Sequence, residues 1–295
     1  MSETDRAAAL LRAGELVAFP TETVYGLGAN ALDAAAVEKI FAAKGRPYSS
    51  PLIVHVADAA MARELAAEWP EAAEKLAARF WPGPLTIVVP KKAIIPDVVT
   101  AGLPSVGLRV PNHPVALELL RAAGIPLAAP SANRFTELSP TTAAHVRAAF
   151  PDLMVIDGGA CPVGIESTVI SFVGGRPRIL RPGMVSRTQI EEVIGPVEVG
   201  AGAESPGQHV RHYSPRTRVV LGDAPAGGRG VRIACGDSAA AFAEGLYARL
   251  HELDQMGLDW IAIEMPPDTP EWAGVRDRLM RAVGQADEKG SRKAR

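Results

Sequence analysis

The chain has 295 residues, 47% of them hydrophobic and 22% charged, with a formal net charge of -2. At roughly 150 residues per domain, that length suggests two units, each able to bury a substantial core. The near-neutral charge gives no global reason to bind nucleic acid or acidic membrane, so any polyanion site has to be local.

The two cysteines, Cys161 and Cys235, are far apart and form no CxxC or Cys/His spacing. Neither a zinc site nor a disulfide framework is indicated, and no metal held by protein ligands is expected. A reducing, cytoplasmic setting fits that cysteine usage. The N-terminus carries acidic residues and short apolar runs, unlike a signal peptide, and no run approaches the roughly 20 apolar residues of a membrane span. No membrane partner is expected.

Helical and strand patterns alternate from the start. Residues 5–13 read as a helix stopped by Gly14, LVAF as a strand, and Asp33 as the cap of AAAVEKIFAAK, which Gly45 ends. LIVHV (52–56) is a strand, and Asp58 and Pro70 open the next two helices. PLTIVVP and SVGLRVP supply strands, and His113-Pro114 starts VALELLRAAG with proline in the first helical turn. IPLAAP, the helical SPTTAAHVRAAF and LMVIDGG continue the alternation. STVISF and PRILRPG read as antiparallel neighbours joined through Gly174-Gly175. Residues 1–195 therefore read as one α/β domain with a mixed sheet.

Residues 196–215 change to glycine, proline and small residues without a periodic apolar face, and read as a linker. Residues 216–284 carry TRVVLG, GVRIAC, a helix over 238–251, the strand WIAIEMP and the helix EWAGVRDRLMRAVG, which make a small second α/β unit. Residues 285–295 read as a disordered, solvated tail.

No GxxxxGK[ST], no GxGxxG after a strand, no GxSxG elbow and no HExxH occurs, so the common nucleotide-loop, hydrolase and zinc-protease readings lose support. What remains is a set of polar residues at the ends of apolar segments, where an open α/β sheet presents its ligand crevice. Thr21, Glu22 and Thr23 follow LVAFP, Lys44 and Arg46 follow a helix, and His55 and Arg109 sit in strands. Ser131 and Asn133 follow PLAAP, Ser167 and Thr168 follow VGIE, and Arg181 ends RILRP. The cations and hydroxyls together suit a triphosphate and a carboxylate. Each also has a plain structural reading. The threonines are good turn residues, Lys44 and Arg46 suit a helix C-terminus, His55 suits a satisfied core position, Ser131 and Asn133 suit a cap, and Arg181 suits the surface. Arg109 is harder to set aside, because a guanidinium buried in an apolar strand needs an anion.

Taken in order, FPTETVYGLGANA, KGRPYSSPLIVHV, FWPGPLTIVV, SVGLRVPNHP, PLAAPSAN, VGIESTVIS and ILRPGM resemble the YrdC-type threonylcarbamoyl-AMP synthases over roughly residues 5–195. SPGQHVRHYSP resembles the interdomain linker of the long form of that family, departing from many relatives at His209 and Val210. Few residues separate Pro215 from the helix near Ser238, so part of the family's usual second domain is expected to be missing. The resemblance implies a YrdC-like open twisted mixed sheet with flanking helices, plus a small Rossmann-like C-terminal domain. It also implies a reaction: L-threonine, bicarbonate or CO2 and ATP give threonylcarbamoyl-adenylate and pyrophosphate, with Mg2+ accompanying ATP. A downstream tRNA threonylcarbamoyl-transferase complex would use the product on the adenosine next to the anticodon.

Position by position, the resemblance implies a catalytic KxR and SxN tetrad in Lys44, Arg46, Ser131 and Asn133, with Lys44 near the bicarbonate or phosphate charge. It implies threonine contacts from Thr23, His55, Arg109, the backbone at Ala129, and Ser167. It implies ATP contacts from Arg46, Ser50, Ser105, Ser131, Ser139 and Arg181, with His212 and Tyr213 of the linker covering the nucleotide and residues 205–215 closing on it. A competing reading from another class is a non-catalytic double-stranded RNA-binding or ribosome-maturation factor on the same fold, with which weak RNA binding is compatible. A generic nucleotide hydrolase using the same crevice is a third.

Overall fold

The computed structural model describes residues 2–200, 202–206 and 213–284. Its local structure follows the chemistry of the chain ends of each element. The helix Ala34–Lys44 starts where the Asp33 carboxylate accepts from the Ala35 and Ala36 amides, and it stops where Gly45 turns left-handed at φ 65°. Asp58 caps Ala59–Leu65, and His113 caps Pro114–Ala123 with proline in the first turn. These caps lie at the positions read from the sequence.

Ten strands form one mixed sheet. In chain order they are β1 (Val17–Phe19), β2 (Gly26–Asn30), β3 (Ile53–His55), β4 (Leu85–Pro90), β5 (Ser105–Arg109), β6 (Leu127–Ala128), β7 (Met154–Val155), β8 (Thr168–Ser171), β9 (Arg178–Arg181) and β10 (Glu198–Val199). Their lateral order is β10-β9-β8-β4-β5-β3-β6-β2-β1-β7. Helices cover the sheet and close its apolar core. A second sheet of β11 (Arg218–Leu221), β12 (Gly230–Ile233) and β13 (Trp260–Ile263) is parallel, in the order β11-β13-β12. It packs with the helices Ala239–Asp254 and Ala273–Ala282.

Three local differences from the sequence reading have physical causes. GLGAN forms β2, paired antiparallel with β1, although its residues have poor strand propensity. Its glycines make room for Phe19, since a Cβ on Gly28 would lie 2.8 Å from Phe19 Cε1. Arg187–Ile194 is a helix with a capping box from Ser186 and Gln189; Ile190, Val193 and Ile194, spaced i, i+3 and i+4, pack on the core, an apolar signal too short to stand out in eight residues. Within the segment read as linker, Glu198–Val199 pairs in parallel with β9 and widens the large sheet.

The two sheets share apolar ground. Val24, Leu138 and Ile165, from the chain that builds the first sheet, belong to the same buried cluster as Leu246, Tyr247, Val275 and Leu279. Backbones touch there. A Cβ on Gly274 would lie 2.8 Å from Gly183, and one on Gly164 would lie 2.2 Å from the Ala243 carbonyl. Gly274→Ala is therefore expected to push the last helix outward and cost about 1–3 kcal/mol of stability. Urea unfolding of the two proteins checks this; equal midpoints and slopes would remove the close-contact argument.

Candidate active site

A cavity with about 50 Å³ of free space, room for a few water molecules, opens where several strand ends meet Pro206 and Tyr213. Two clusters of the candidate residues line it. One contains Thr23, His55, Arg109 and the backbone at Ala129, and the other contains Arg46, Ser131, Ser167, Arg181 and Tyr213.

The first cluster is built by β3 and β5, which run parallel with His55 level with Arg109. Arg109 is 4% exposed; its Nη2 donates to Thr23 Oγ1 at 2.9 Å and lies 2.8 Å from Glu22 Oε2. Glu22 is the anion that a buried Arg109 requires. The pair meets at ion-pair distance without hydrogen-bond direction, so both Glu22 oxygens and Arg109 Nε keep unfilled hydrogen-bonding capacity. Thr21 Oγ1 donates to the Val24 carbonyl at 2.6 Å and accepts from the Thr23 and Val24 amides, which fixes the turn that presents Thr23. Burial first, and the Arg109 charge second, pull His55 down to about 3, so its imidazole is neutral with an unpartnered Nδ1. The Ala129 amide is occupied by the Ile53 carbonyl at 2.9 Å.

The second cluster joins the loop after the helix Ala34–Lys44 to the ends of β8 and β9. Arg46 donates to Ser50 Oγ and to the Pro51 carbonyl. Burial lowers it to about 10, which leaves it cationic. Arg181 is buried, contrary to the surface reading. Its Nε and Nη2 donate to the carbonyl and Oγ of Ser167 at 3.1 and 3.2 Å, and its Nη1 to the Pro206 carbonyl at 3.2 Å. Ser167 Oγ is 2.8 Å from Thr86 Oγ1. Among the described residues neither Arg46 nor Arg181 has a carboxylate within ion-pair distance. Two desolvated guanidiniums satisfied only by neutral groups make an anion site.

Other candidate residues stand one step back from the cavity. Lys44 Nζ donates to the Ser131 carbonyl at 2.6 Å and to the Asn133 carbonyl, so it holds the Ser131 turn in place. Burial, then the Arg46 charge, pushes the Lys44 ammonium well below its ordinary value. Asn133 Nδ2 donates to the Arg134 and Glu137 carbonyls, while its Oδ1 is unpartnered. Ser50 is tied to Arg46, Ser139 Oγ to Glu166, and Ser105 begins β5, outside the lining set. His212, Gly207, His209 and Val210 lie outside the described residues. Glu166 lines the cavity and was not singled out from the sequence; its signal is an acid inside the otherwise apolar VGIESTVI.

A mixed sheet whose strand ends and neighbouring loop bring together Arg46 and Arg181, without a carboxylate partner among the described residues, defines an α/β protein with a crevice suited to anionic small molecules. The family model Sua5_yciO_yrdC, described as "Telomere recombination", matches residues 9–183, and the model described as "Threonylcarbamoyl-AMP synthase, C-terminal domain" matches residues 185–284. The chain belongs to the threonylcarbamoyl-AMP synthase family. It is 42% identical to the threonylcarbamoyl-AMP synthase of Bacillus subtilis, covering 95% of this chain and 92% of that one. It is 40% identical to that of Pyrococcus abyssi, covering 94% and 93%. Its fold matches the crystal structure of P. abyssi Sua5 complexed with L-threonine at a TM-score of 0.91 and 39% identity, over 97% of this chain and 96% of that one. The alignment with the Bacillus protein runs over 320 positions against 295 residues here, so part of that relative has no counterpart in this chain.

The state of His55 has a measurable consequence. Its folded value of about 3 lies below the ordinary 6.5, so unfolding takes up a proton between those limits. The stability this contributes is complete above pH 6.5 and is lost as pH falls toward 3, by about 1.4 kcal/mol per pH unit. Urea unfolding at stepped pH is expected to show that slope, reduced by about one proton in His55→Gln. An unchanged slope in the variant would mean that His55 is not buried neutral.

Proposed function

We propose that this chain joins L-threonine, bicarbonate or CO2, and ATP into threonylcarbamoyl-adenylate with release of pyrophosphate. One observation carries the reading at this site: Arg46 and Arg181 are buried at one cavity with no carboxylate partner among the described residues, beside a second cluster whose Arg109 retains a free Nε. The names of the relatives support the enzyme and give no support to a non-catalytic RNA-binding factor.

In this reading Arg109 grips the threonine carboxylate, while Thr23, neutral His55, Ser167 and the backbone at Ala129 select the rest of the amino acid. With the Ala129 amide already bonded, a backbone contact there falls to its carbonyl. Arg46 and Arg181 take the triphosphate, with Ser50, Ser105, Ser131 and Ser139 as further nucleotide contacts, and Lys44 and Asn133 support the Ser131 turn. Tyr213, 2% exposed and with φ 59°, covers the nucleotide together with His212. The neutral threonine amine attacks the carbon of CO2 and loses a proton to solvent, which gives an N-carboxylate. Its oxygen attacks the α-phosphorus, and the bond to the β-phosphate oxygen breaks to release pyrophosphate. No covalent enzyme intermediate is needed, so catalysis rests on alignment and on cations facing the charge that develops on phosphate.

Mg2+ fits as a passenger on ATP. The described residues contain no group of three or more His, Cys, Asp or Glu placed to hold a metal, and the cavity's neighbours Glu22 and Glu166 are each engaged by an arginine. Bound to the phosphates, the ion would supply further charge neutralisation on the leaving pyrophosphate. We place the enzyme in the cytoplasm. Both cysteines are free and buried, and no helix among the described residues is long and apolar enough to cross a membrane. A mixed anhydride of this kind is labile, so its consumer has to act soon after release; the family resemblance implies that this consumer is a tRNA threonylcarbamoyl-transferase complex.

Pyrophosphate release from ATP is expected to require both L-threonine and bicarbonate. Release at the same rate without threonine would favour a hydrolase, and no release together with tight duplex RNA binding would favour the RNA-binding reading. Arg109→Ala is expected to raise the KM for threonine far more than that for ATP, since losing a desolvated charge-assisted pair costs about 2–5 kcal/mol. The variant is best made with Glu22→Gln, so that no unpaired carboxylate is left buried beside it. Equal effects on both substrates would remove Arg109 from the amino-acid end.

A further inference from the structure

A buried ion pair links the second sheet's helices to the wall of the cavity. Arg278, on the helix Ala273–Ala282, is 1% exposed, and its Nε donates to Glu166 Oε2 at 2.7 Å. The same carboxylate accepts from Ser139 Oγ on Oε1 and from Tyr247 OH at 3.1 Å on Oε2. Arg278 Nη2 donates to the Glu166 carbonyl at 3.0 Å and Nη1 to the Pro182 carbonyl at 2.9 Å. Asp277 also accepts from Nη1 but is shared with Arg281. The Arg278 guanidinium lies 5.4 Å from the centre of the Tyr213 ring.

These contacts bracket the nucleotide end of the site. Glu166 precedes Ser167, Pro182 follows Arg181, and Ser167 and Arg181 are bonded to each other. One guanidinium therefore holds both strands from behind, at the residues adjoining the pair that faces the cavity. The electrostatics sharpen the point. Burial pushes Glu166 up, but Arg278 first and Arg181 second attract its charge, and the carboxyl ends below its ordinary value. Arg181 is thus the next cation to which Glu166 would turn if Arg278 were absent. A buried carboxylate without its partner is costly enough to rearrange its neighbours.

We propose that Arg278 is a positioning residue of the nucleotide site: it keeps Glu166 in its own ion pair, so that the charge of Arg181 stays available to the triphosphate. This rests on the proposed function only in placing the triphosphate at Arg181. A bare tether between the two sheets would make no distinction between substrates and would not depend on the charge of Glu166.

The test uses the full chain and calorimetric binding of MgATP and of L-threonine, measured separately. Arg278→Met is expected to weaken ATP binding roughly tenfold while threonine binding changes less than about twofold. Glu166→Gln in the same chain is expected to restore ATP binding to within about threefold of the unmodified protein, because no carboxylate remains to capture Arg181. The proposal is overturned if Arg278→Met binds ATP normally, if it loses both ligands equally, or if the double variant binds no better than the single one. If Arg278→Met does not fold, the double variant and Arg278→Lys decide the matter by the same threefold margin. Binding is read without turnover. A chain that binds ATP but releases no pyrophosphate with threonine and bicarbonate would sink the synthase reading and still decide the role of Arg278. An unmodified chain without ATP affinity would overturn both.

Discussion

Among the described residues, four buried guanidiniums set against two buried carboxylates are the constraint around which this molecule is arranged. Removing an ion from water costs several kcal/mol even after relaxation, so each of Arg46, Arg109, Arg181 and Arg278 has to be compensated where it lies. Arg109 has Glu22 and Arg278 has Glu166. Arg46 and Arg181 have carbonyls and hydroxyls, which supply dipoles but no charge. The fold satisfies this arrangement by bringing its strand ends and loops together from distant parts of the chain. β5 carries Arg109, β9 ends on Arg181, and the helix Ala34–Lys44 delivers Arg46 just past its left-handed glycine.

The supporting shell is as specific as the lining. Lys44 does not face the cavity; it crosslinks the carbonyls of the Ser131 turn, and so converts a charged side chain into a local brace. Thr21 does the same for the turn carrying Thr23. Such braces matter for the proposed reaction, which needs no covalent enzyme intermediate, because misplacing a reacting group by about 1 Å can cost two orders of magnitude in rate.

Much of this was legible in the sequence wherever the cause is local. Asp33, Gly45, Asp58 and His113 mark helix ends because a cap is a hydrogen bond or a backbone angle set within a few residues. The candidate residues at the cavity were legible through whole motifs and their order. Residue type alone left Arg181 as readable for the surface as for a site, and it proves buried. β2 was hidden because its glycines answer to Phe19 across the hairpin. The Glu166–Arg278 pair was hidden for a stronger reason: its members are 112 residues apart, and each looks ordinary in its own segment.

On the proposed function, the distribution of charge also bears on how the two substrates lie. Glu22 already balances Arg109, yet it does so at 2.8 Å without directed hydrogen bonds, and Arg109 Nε remains open. That end can take one more carboxylate through a free donor, and its net charge then suits a zwitterion such as an amino acid. At the Arg46 and Arg181 end the carboxylate of Glu166 is taken by Arg278, so among the described residues neither guanidinium there has an ion-pair partner, and that end suits a ligand with several negative charges. Reversing the substrates would set a triphosphate beside Glu22 and leave two uncompensated guanidiniums around a neutral zwitterion. Both mismatches lie in a desolvated site, where like charges repel strongly and unpaired ones are hardest to accommodate. On the proposed function, the pairing of Glu22 with Arg109 and of Glu166 with Arg278 thus favours the amino acid at the Arg109 end and the nucleotide at the Arg46 and Arg181 end.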